Sequence, residues 1–289
     1  MLSILVPHYN FINQTLFLEL ELQCLSLPLD FEIIVIDDAS LTPYKNYLNQ
    51  FNKAYFNIIF LDKNIGRSAI RNLLAAKASY PFLLFLDGDS CIKHPNFIKN
   101  YLNFVQQNPA ADLVCGLRNY PECLNKEYLL HHYYGTKVEM LASKQAFHSS
   151  NFLIKKEVFK ALQFDERLTH YGYEDVVFGL TAKAKGYTIK NSDNPVIHLQ
   201  LKTNQQFMAD TEDAVQNLAQ LMQLPQYEII LKEIPLIRIY LLYKKTGLWH
   251  LLAGLKSRLR KNLEQEKPNA TSIKKLQLYK LLHLHYCLS

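Results

Sequence analysis

Short apolar runs that end in polar residues alternate with longer helical patterns through the first part of the chain. Leu2–Val6, Phe31–Ile36, Asn57–Leu61, Phe82–Leu86 and Asp112–Gly116 read as strands. Their apolar character is nearly continuous, as in strands buried on both faces of a mostly parallel sheet. Between them, Arg67–Ala78 and Pro95–Gln107 carry helical periodicity, with Pro95 suited to a first-turn position. This β-α-β alternation predicts an α/β fold whose doubly wound, mostly parallel sheet is flanked by helices.

The pattern loosens from Leu124 to Leu201. It predicts a strand at Phe152–Ile154, a short helix, and a helix through Val176–Lys185 that Gly186 ends as its cap. Two further short strands are expected at Thr188–Asn191 and Pro195–Leu199. From Asn204 onward Leu, Ile and Tyr recur at helical spacing, through Leu251-Leu252 and Leu276–Leu284, divided by Pro225, Pro235 and Pro268. The expected organisation is a main domain over residues 1–220 and a helical extension over 221–289.

Composition narrows this picture. A chain of 289 residues with 49% hydrophobic and 20% charged residues describes a globular protein with a substantial core. With 9 Gly and 11 Pro, long disordered linkers are not expected. The five cysteines (Cys24, Cys91, Cys115, Cys123 and Cys287) form no C-x-x-C pair, so buried reduced thiols are expected, not a disulfide framework or a zinc site. No basic stretch followed by an apolar run opens the chain, and the apolar stretch at Ile234–Tyr243 is broken by Pro235 and Arg238. A cytoplasmic location is the expectation.

The net charge of +6 is uneven. From Leu221 onward there are 12 Lys/Arg against 4 Asp/Glu, whereas the preceding residues hold 20 against 22. The basic character belongs to the extension. Lys244-Lys245 and Lys256-Ser-Arg258-Leu-Arg260-Lys261 flank Leu248-Trp249-His-Leu-Leu252 there. This reads either as a helical cap with a solvated basic face or as a peripheral contact with an inner membrane surface. No recognition motif accompanies the charge, so nucleic acid is not an expected partner.

Polar residues gather where the predicted strands end. Pro7-His8-Tyr9-Asn10 follows the first, Asp37-Asp38 the second and Asp87-Gly88-Asp89 the fourth. In open α/β sheets, ligands bind outside the carboxyl ends of strands, so these groups should converge on one crevice. The apolar strand Phe82–Leu86 delivers two carboxylates into a tight turn, and Gly88 permits close approach of a ligand. Paired carboxylates suit Mg²⁺ or Mn²⁺ bridging to phosphates, although Asp and Gly are also ordinary turn residues. Asn64-Ile-Gly66-Arg67 and Arg71-Asn72 lie between, and Tyr171-Gly172-Tyr173-Glu174-Asp175 opens a later helix. Arg67 and Arg71 suit a base or a phosphate, and Arg71 equally suits a salt bridge on the helix surface.

Taken in this order, the set resembles the family 2 glycosyltransferases with the GT-A fold over residues 1 to about 200. The resemblance implies a nucleotide-sugar part over residues 1–118 and an acceptor part over 119–220. It implies that Asp38 accepts a uracil N–H, with Asp37 supporting the loop and Pro7, His8 and Tyr9 forming a wall beside the base. Gly66 would let backbone approach the nucleotide. Asp87 would take the ribose side and Asp89 the metal, joined by His198 from Pro195-Val-Ile-His198. Asp175 would be the base and Glu174 would hold acceptor hydroxyls; the helix dipole is expected to lower the Asp175 pKa. Ser149-Ser150-Asn151 would approach the donor sugar, in place of a more glycine-rich segment, and the helix after Asp175 lacks an Arg often found there. The implied activity is inverting, metal-dependent transfer from a UDP-sugar to a saccharide or lipid-linked acceptor.

Two other readings remain. Leu84-Phe-Leu-Asp87-Gly-Asp89-Ser90 looks like the nucleophile strand of a HAD-type phosphatase, although there the motif stands near the N-terminus with an Asp pair downstream of it. A degenerate, non-catalytic nucleotide-sugar-binding relative is the other, against which both acidic pairs speak. No G-x-G-x-x-G follows the first strand, which disfavours a dehydrogenase.

Overall fold

A computed structural model describes residues 1–289 apart from 52, 170, 247, 248 and 250–253. Its strands are β1 (Leu2–His8), β2 (Phe31–Asp37), β3 (Phe56–Phe60), β4 (Phe82–Leu86), β5 (Ser90–Ile92), β6 (Leu113–Asn119), β7 (Asn151–Lys155) and β8 (Ile189–His198). Among the described residues they form one eight-stranded sheet in the order β3-β2-β1-β4-β7-β6-β8-β5. β3, β2, β1 and β4 run parallel; β7 is antiparallel to both of its neighbours, and β5 is antiparallel to β8. The expected α/β sheet flanked by helices is present; its parallel half holds the first four predicted strands, and β5 and β7 make the sheet as a whole mixed where a mostly parallel one was expected.

The apolar runs are continuous because both sheet faces are covered. Leu2, Ile4, Val6, Ile33, Val35, Leu84 and Leu86 point into one core with helices α1 (Gln14–Leu25), α2 (Thr42–Leu48) and α4 (Phe97–Gln107). Their strand neighbours Leu5, Ile34, Ile36, Leu83 and Phe85 point the other way. There they meet α3 (Gly66–Lys77), α7 (Lys156–Leu162) and α8 (Glu174–Ala184). The period of two assigns alternate residues to the two layers.

Several local expectations change. Thr188–Asn191 and Pro195–Leu199 are not two strands; they belong largely to the single strand β8. The polar Ser192-Asp193-Asn194 between them forms an irregularity opposite Gly116, where the β6–β8 register shifts, and a bulge tolerates Pro195. Pro95 lies outside α4, whose cap is Asn96. Lys185 caps α8, and Gly186 follows it with its amide on the Lys183 carbonyl while Tyr187 bonds Ala182. Cys24, Cys91 and Cys115 are buried free thiols, whereas Cys123 and Cys287 are half-exposed.

The remaining helices are α5 (Leu129–Tyr134), which runs through a π-helical turn (Gly135–Glu139) into α6 (Met140–Ala142), then α9 (Asn204–Leu221), α10 (Glu228–Leu231) and α11 (Pro235–Tyr243). Two more close the chain, which we label α12 (Leu255–Gln265) and α13 (Ala270–Leu288). Leu259, Leu263, Leu276 and Tyr279 share a core with Val215 and Leu218 of α9, Leu130 of α5 and Val177 of α8. Arg260 fixes this packing by reaching both Glu212 carboxylate oxygens at 2.8 Å. Trp249 is buried, while Leu248 and residues 250–252 of the basic segment lie outside the described residues. Among the described residues, no helix is long and apolar enough to cross a membrane.

Candidate functional site

The carboxyl ends of β1, β2 and β4 meet in a cleft of about 280 Å³. Pro7, Tyr9, Asp38, Gly66, Arg71, Asp87 and Asp89 all line it, as the strand-end rule requires. Tyr9 stands at the rim, 52% exposed. His8 also lines the cleft, and its buried ring is tied down on both sides: one ring nitrogen lies 2.8 Å from Asp37 Oδ2 and the other 2.6 Å from the Phe11 carbonyl. Asp37 is wholly buried and also accepts the Ser40 amide at 2.9 Å. Burial opposes its charge, but the His8 and Ser40 contacts outweigh this and lower its pKa.

Asp38 caps α3. Its two carboxylate oxygens accept the amides of Ile65 at 2.7 Å and Gly66 at 3.1 Å. Gly66 takes φ +83, a conformation other residues rarely adopt, and thereby starts the helix against this carboxylate. Burial nevertheless raises the Asp38 pKa. Each oxygen keeps acceptor capacity toward the cleft.

Arg71 lines the cleft but does not stand on the helix surface. It is 2% exposed, and its guanidinium donates to Asp87 Oδ1 at 2.7 Å. This pair fixes the first carboxylate of the Asp87-Gly88-Asp89 turn. A Cβ on Gly88 would stand 2.9 Å from the Pro7 carbonyl, so the turn packs directly on β1.

Asp89 and His198 come together through the β5–β8 ladder, in which Ser90 pairs with His198 and the Leu199 amide bonds the Asp89 carbonyl. His198 Nδ1 lies 3.2 Å from Asp89 Oδ2. Yet neither that nitrogen nor Asp89 Oδ1 has a well-formed hydrogen bond, although both atoms are buried. Unsatisfied buried ligand atoms of this kind fit a divalent cation. Burial penalises the Asp89 charge, but His198, Arg67 and Arg118 together hold its pKa down. Among the described residues no group of three or more His, Cys, Asp or Glu is arranged to hold a metal by itself, so a cation here needs ligand oxygens as well.

Glu174 and Asp175 open α8 beside the cleft. The preceding Gly172 and Tyr173 have φ values of +95 and +66, a strained approach that sets the direction of the helix start. Glu174 is buried, with Oε2 unpaired and Oε1 3.9 Å from Arg67. Arg67 lies 4.4 Å from the centre of the Tyr171 ring and Lys202 3.8 Å from it, so two cations flank one aromatic at the cleft edge. The Asp175 pKa is not lowered by the helix dipole. Burial pushes it up to about 6, and the Glu174 charge adds to this. Arg118 and Arg71 pull the other way; they act on both Asp175 and the Asp87–Asp89 turn, so the two acidic pairs share one set of cations.

Sequence reasoning missed Arg118, Tyr120 and Glu139. Arg118 bonds Ser150 Oγ at 3.0 Å and Glu139 at 3.2 Å, and the Tyr120 hydroxyl donates to Glu139. These contacts, Arg118 foremost, outweigh burial and hold the Glu139 carboxyl at about 2. Arg118 could have been found, since it stands at the end of β6; Glu139 lies in a π-helical turn that leaves no periodic signature. His131 packs beside His198, and burial lowers its pKa to about 3. Asn151 does not face the cleft: it is fully buried, donating to the Asn194 and Leu117 carbonyls and accepting from Tyr101.

A mixed α/β sheet covered by helices on both faces, with a crevice at its strand ends lined by both cations and carboxylates, is the arrangement of the GT-A fold. The model of glycosyl transferase family 2 matches residues 3–163, more than half of the chain, and the chain belongs to that family. A poly(ribitol-phosphate) beta-glucosyltransferase of Bacillus spizizenii is 28% identical over 66% of this chain and 31% of its own length. The chondroitin synthase of Escherichia coli is 24% identical over 83% of this chain and 42% of its own length. The chain thus spans less than half of either relative. In fold it resembles S. aureus TarS in complex with UDP (TM-score 0.56, 15% identity, 99% of this chain and 90% of that one). It also resembles the mannosyltransferase PcManGT from Pyrobaculum calidifontis in complex with GDP-Man and Mn2+ (TM-score 0.56, 14% identity, 99% and 84%). The family assignment replaces the phosphatase reading of Asp87 and Asp89.

Proposed function

We propose that this chain is an inverting glycosyltransferase that moves a sugar from a UDP-sugar to an acceptor hydroxyl in polysaccharide or glycoconjugate synthesis. The observation that carries this reading is a cleft lined by Asp38, Arg67, Asp87 and Asp89, in which Asp89 meets His198 at 3.2 Å and Arg67 approaches Glu174, the neighbour of Asp175, at 3.9 Å. The UDP and GDP-Man complexes of the structural neighbours support a nucleotide-sugar donor.

Asp38 would accept the N–H of the base, and Pro7 and Tyr9 would border it. Asp89 and His198 would hold Mn²⁺ or Mg²⁺, with diphosphate oxygens completing the set. Such an ion, when bound, neutralises charge on the departing diphosphate. Arg67 and Lys202 add positive charge at the same edge. Asp175 takes the acceptor proton as the hydroxyl oxygen bonds to the anomeric carbon, while the bond from that carbon to the diphosphate oxygen breaks. Glu174 orients acceptor hydroxyls. A single displacement inverts the anomeric centre. A raised pKa suits this role, because a base near 6 is ionised at neutral pH yet stronger than an ordinary aspartate.

The nucleotide-sugar part extends to about residue 118, the acceptor part to about 220, and the basic extension follows. The exposed Lys244 and Lys245 of that extension offer a peripheral contact with a membrane carrying lipid-linked acceptors, in a cytoplasmic setting that keeps the thiols reduced.

Calorimetric titration of UDP and GDP with and without Mn²⁺ tests the reading. UDP should bind more tightly with Mn²⁺, and Asp89→Asn should remove at least about 10-fold of that gain. Binding of neither nucleotide, or a Mn²⁺ effect that survives in Asp89→Asn, would refute it.

A further inference from the structure

Helix α11 is apolar almost all the way round. Leu236, Ile237 and Tyr240 are buried in the helical core. Pro235, Arg238, Ile239, Leu242 and Tyr243 are the exposed positions, and their spacing places them on one face of the helix. Ile239 is 47%, Leu242 72% and Tyr243 43% exposed. A helix at the surface of a globular protein ordinarily gives such a face to polar residues, yet Arg238 is the sole charge in α11.

The surrounding structure holds this face in place. The buried Trp249 donates its Nε1–H to the Tyr243 carbonyl at 3.0 Å and stacks on His285 of α13 with ring centres 4.4 Å apart. The Thr246 amide bonds the same carbonyl. The end of α11 is thereby fixed against the core, with Leu242 and Tyr243 left outside.

Charge indicates what covers them. Between Glu233 and Glu264 the chain carries seven Lys/Arg and no Asp or Glu. Arg238, Lys244 and Lys245 lie on the apolar face or directly follow it, and all three are exposed. Among the described residues none of the three forms an ion pair. A second copy docked about a two-fold axis would set these cations against themselves. The nine residues of α11 are too few to cross a bilayer. Apolar side chains beside unpaired cations instead fit the boundary between anionic headgroups and acyl chains. Tyr is favoured there, and an Arg stem can lie along apolar surface while its charge reaches phosphate.

We propose that the outward face of α11 docks on an anionic lipid bilayer, with Ile239, Leu242 and Tyr243 entering the interface and Arg238, Lys244 and Lys245 meeting lipid phosphates. This rests on the peripheral contact proposed above and adds to its two lysines an apolar face that enters the bilayer.

The test is sedimentation of the full chain with two kinds of vesicle at about 0.1 M salt: phosphatidylcholine alone, and phosphatidylcholine with roughly one-third phosphatidylglycerol. The anionic vesicles should bind at least about 10-fold more tightly. Lys244→Gln with Lys245→Gln should weaken that binding about 10- to 30-fold. Ile239→Ser with Leu242→Ser keeps every charge and should weaken it about 10-fold or more. Neither pair should change the urea midpoint or UDP affinity, because all four side chains lie outside the core and the cleft. Anionic binding that survives either pair would overturn α11 as the docking face and leave a peripheral contact elsewhere. Binding to neither vesicle would remove both. A wild-type dimer that the serine pair abolishes, without vesicle binding, would give the face to a second copy. Absence of UDP binding would strike the glycosyl-transfer reading alone.

Discussion

Replacing Asp175 by Asn should leave a better-folded but inactive protein. The wild-type carboxyl moves from an ordinary 3.8 to about 6 on folding, because burial and Glu174 disfavour its charge. Protons therefore bind the folded state more tightly than the unfolded one. Stability falls as pH rises from about 4 to 6, and the full cost, about 3 kcal/mol, is present at pH 7. An amide carries no charge to desolvate, keeps the oxygen that accepts the Val176 amide at 2.7 Å, and has nearly the same shape. Asp175→Asn should thus gain up to about 3 kcal/mol in urea unfolding at pH 7, and the gain should vanish near pH 4. Turnover should drop by about 10² to 10⁴, the usual contribution of a positioned base, with UDP affinity unchanged. Wild-type kcat should rise with pH through about 6 as the base ionises. A variant that is less stable at pH 7, or that turns over at the wild-type rate, would refute the assignment.

Arg71→Met should cost about 1 to 3 kcal/mol in chemical unfolding, since it removes the charge-assisted partner of the part-buried Asp87 carboxylate. Adding Asp87→Asn should restore much of that loss; a double variant as unstable as the single one would show that pairing is not the cause. Gly172→Ala forces a Cβ to 2.5 Å from Ala214 Cβ at a φ of +95. It should cost roughly 2 kcal/mol or more and lower kcat, because the start of α8 carries Glu174 and Asp175, while UDP titration stays unaltered. Unchanged kcat at that position would mean the strained approach does not set the acidic pair.

What could be read along the chain was local. Phe82–Leu86 announces a buried strand, and the Asp-Gly-Asp turn at its end announces a site, because both depend on residues adjacent in sequence. The Asp37 and Asp38 positions are similarly local, each placed by the end of β2. The partners of these groups were not legible, because long-range pairing supplies them. Asp89 meets His198 only because β5, three residues long, lies antiparallel on the end of β8. The Arg71–Asp87 contact needs α3 to pack on β1 and β2 next to the end of β4, and helical spacing alone left Arg71 between a surface salt bridge and a ligand contact.

Asp175 shows the limit most sharply. The helix start that sequence reveals argues for a lowered pKa, yet an exposed helix end and a buried one treat a carboxylate oppositely. At α8, burial and the adjacent Glu174 outweigh Arg118, the Val176 amide and Arg71. The basic extension makes the same point for cations. Its charge was plain from composition, but only the packing of α13 against α9 separates Lys280, directed at Tyr134, from the lysines left in solvent. Local rules thus select which residue types can do chemistry, and the shared burial of distant elements decides which of them carry a usable charge.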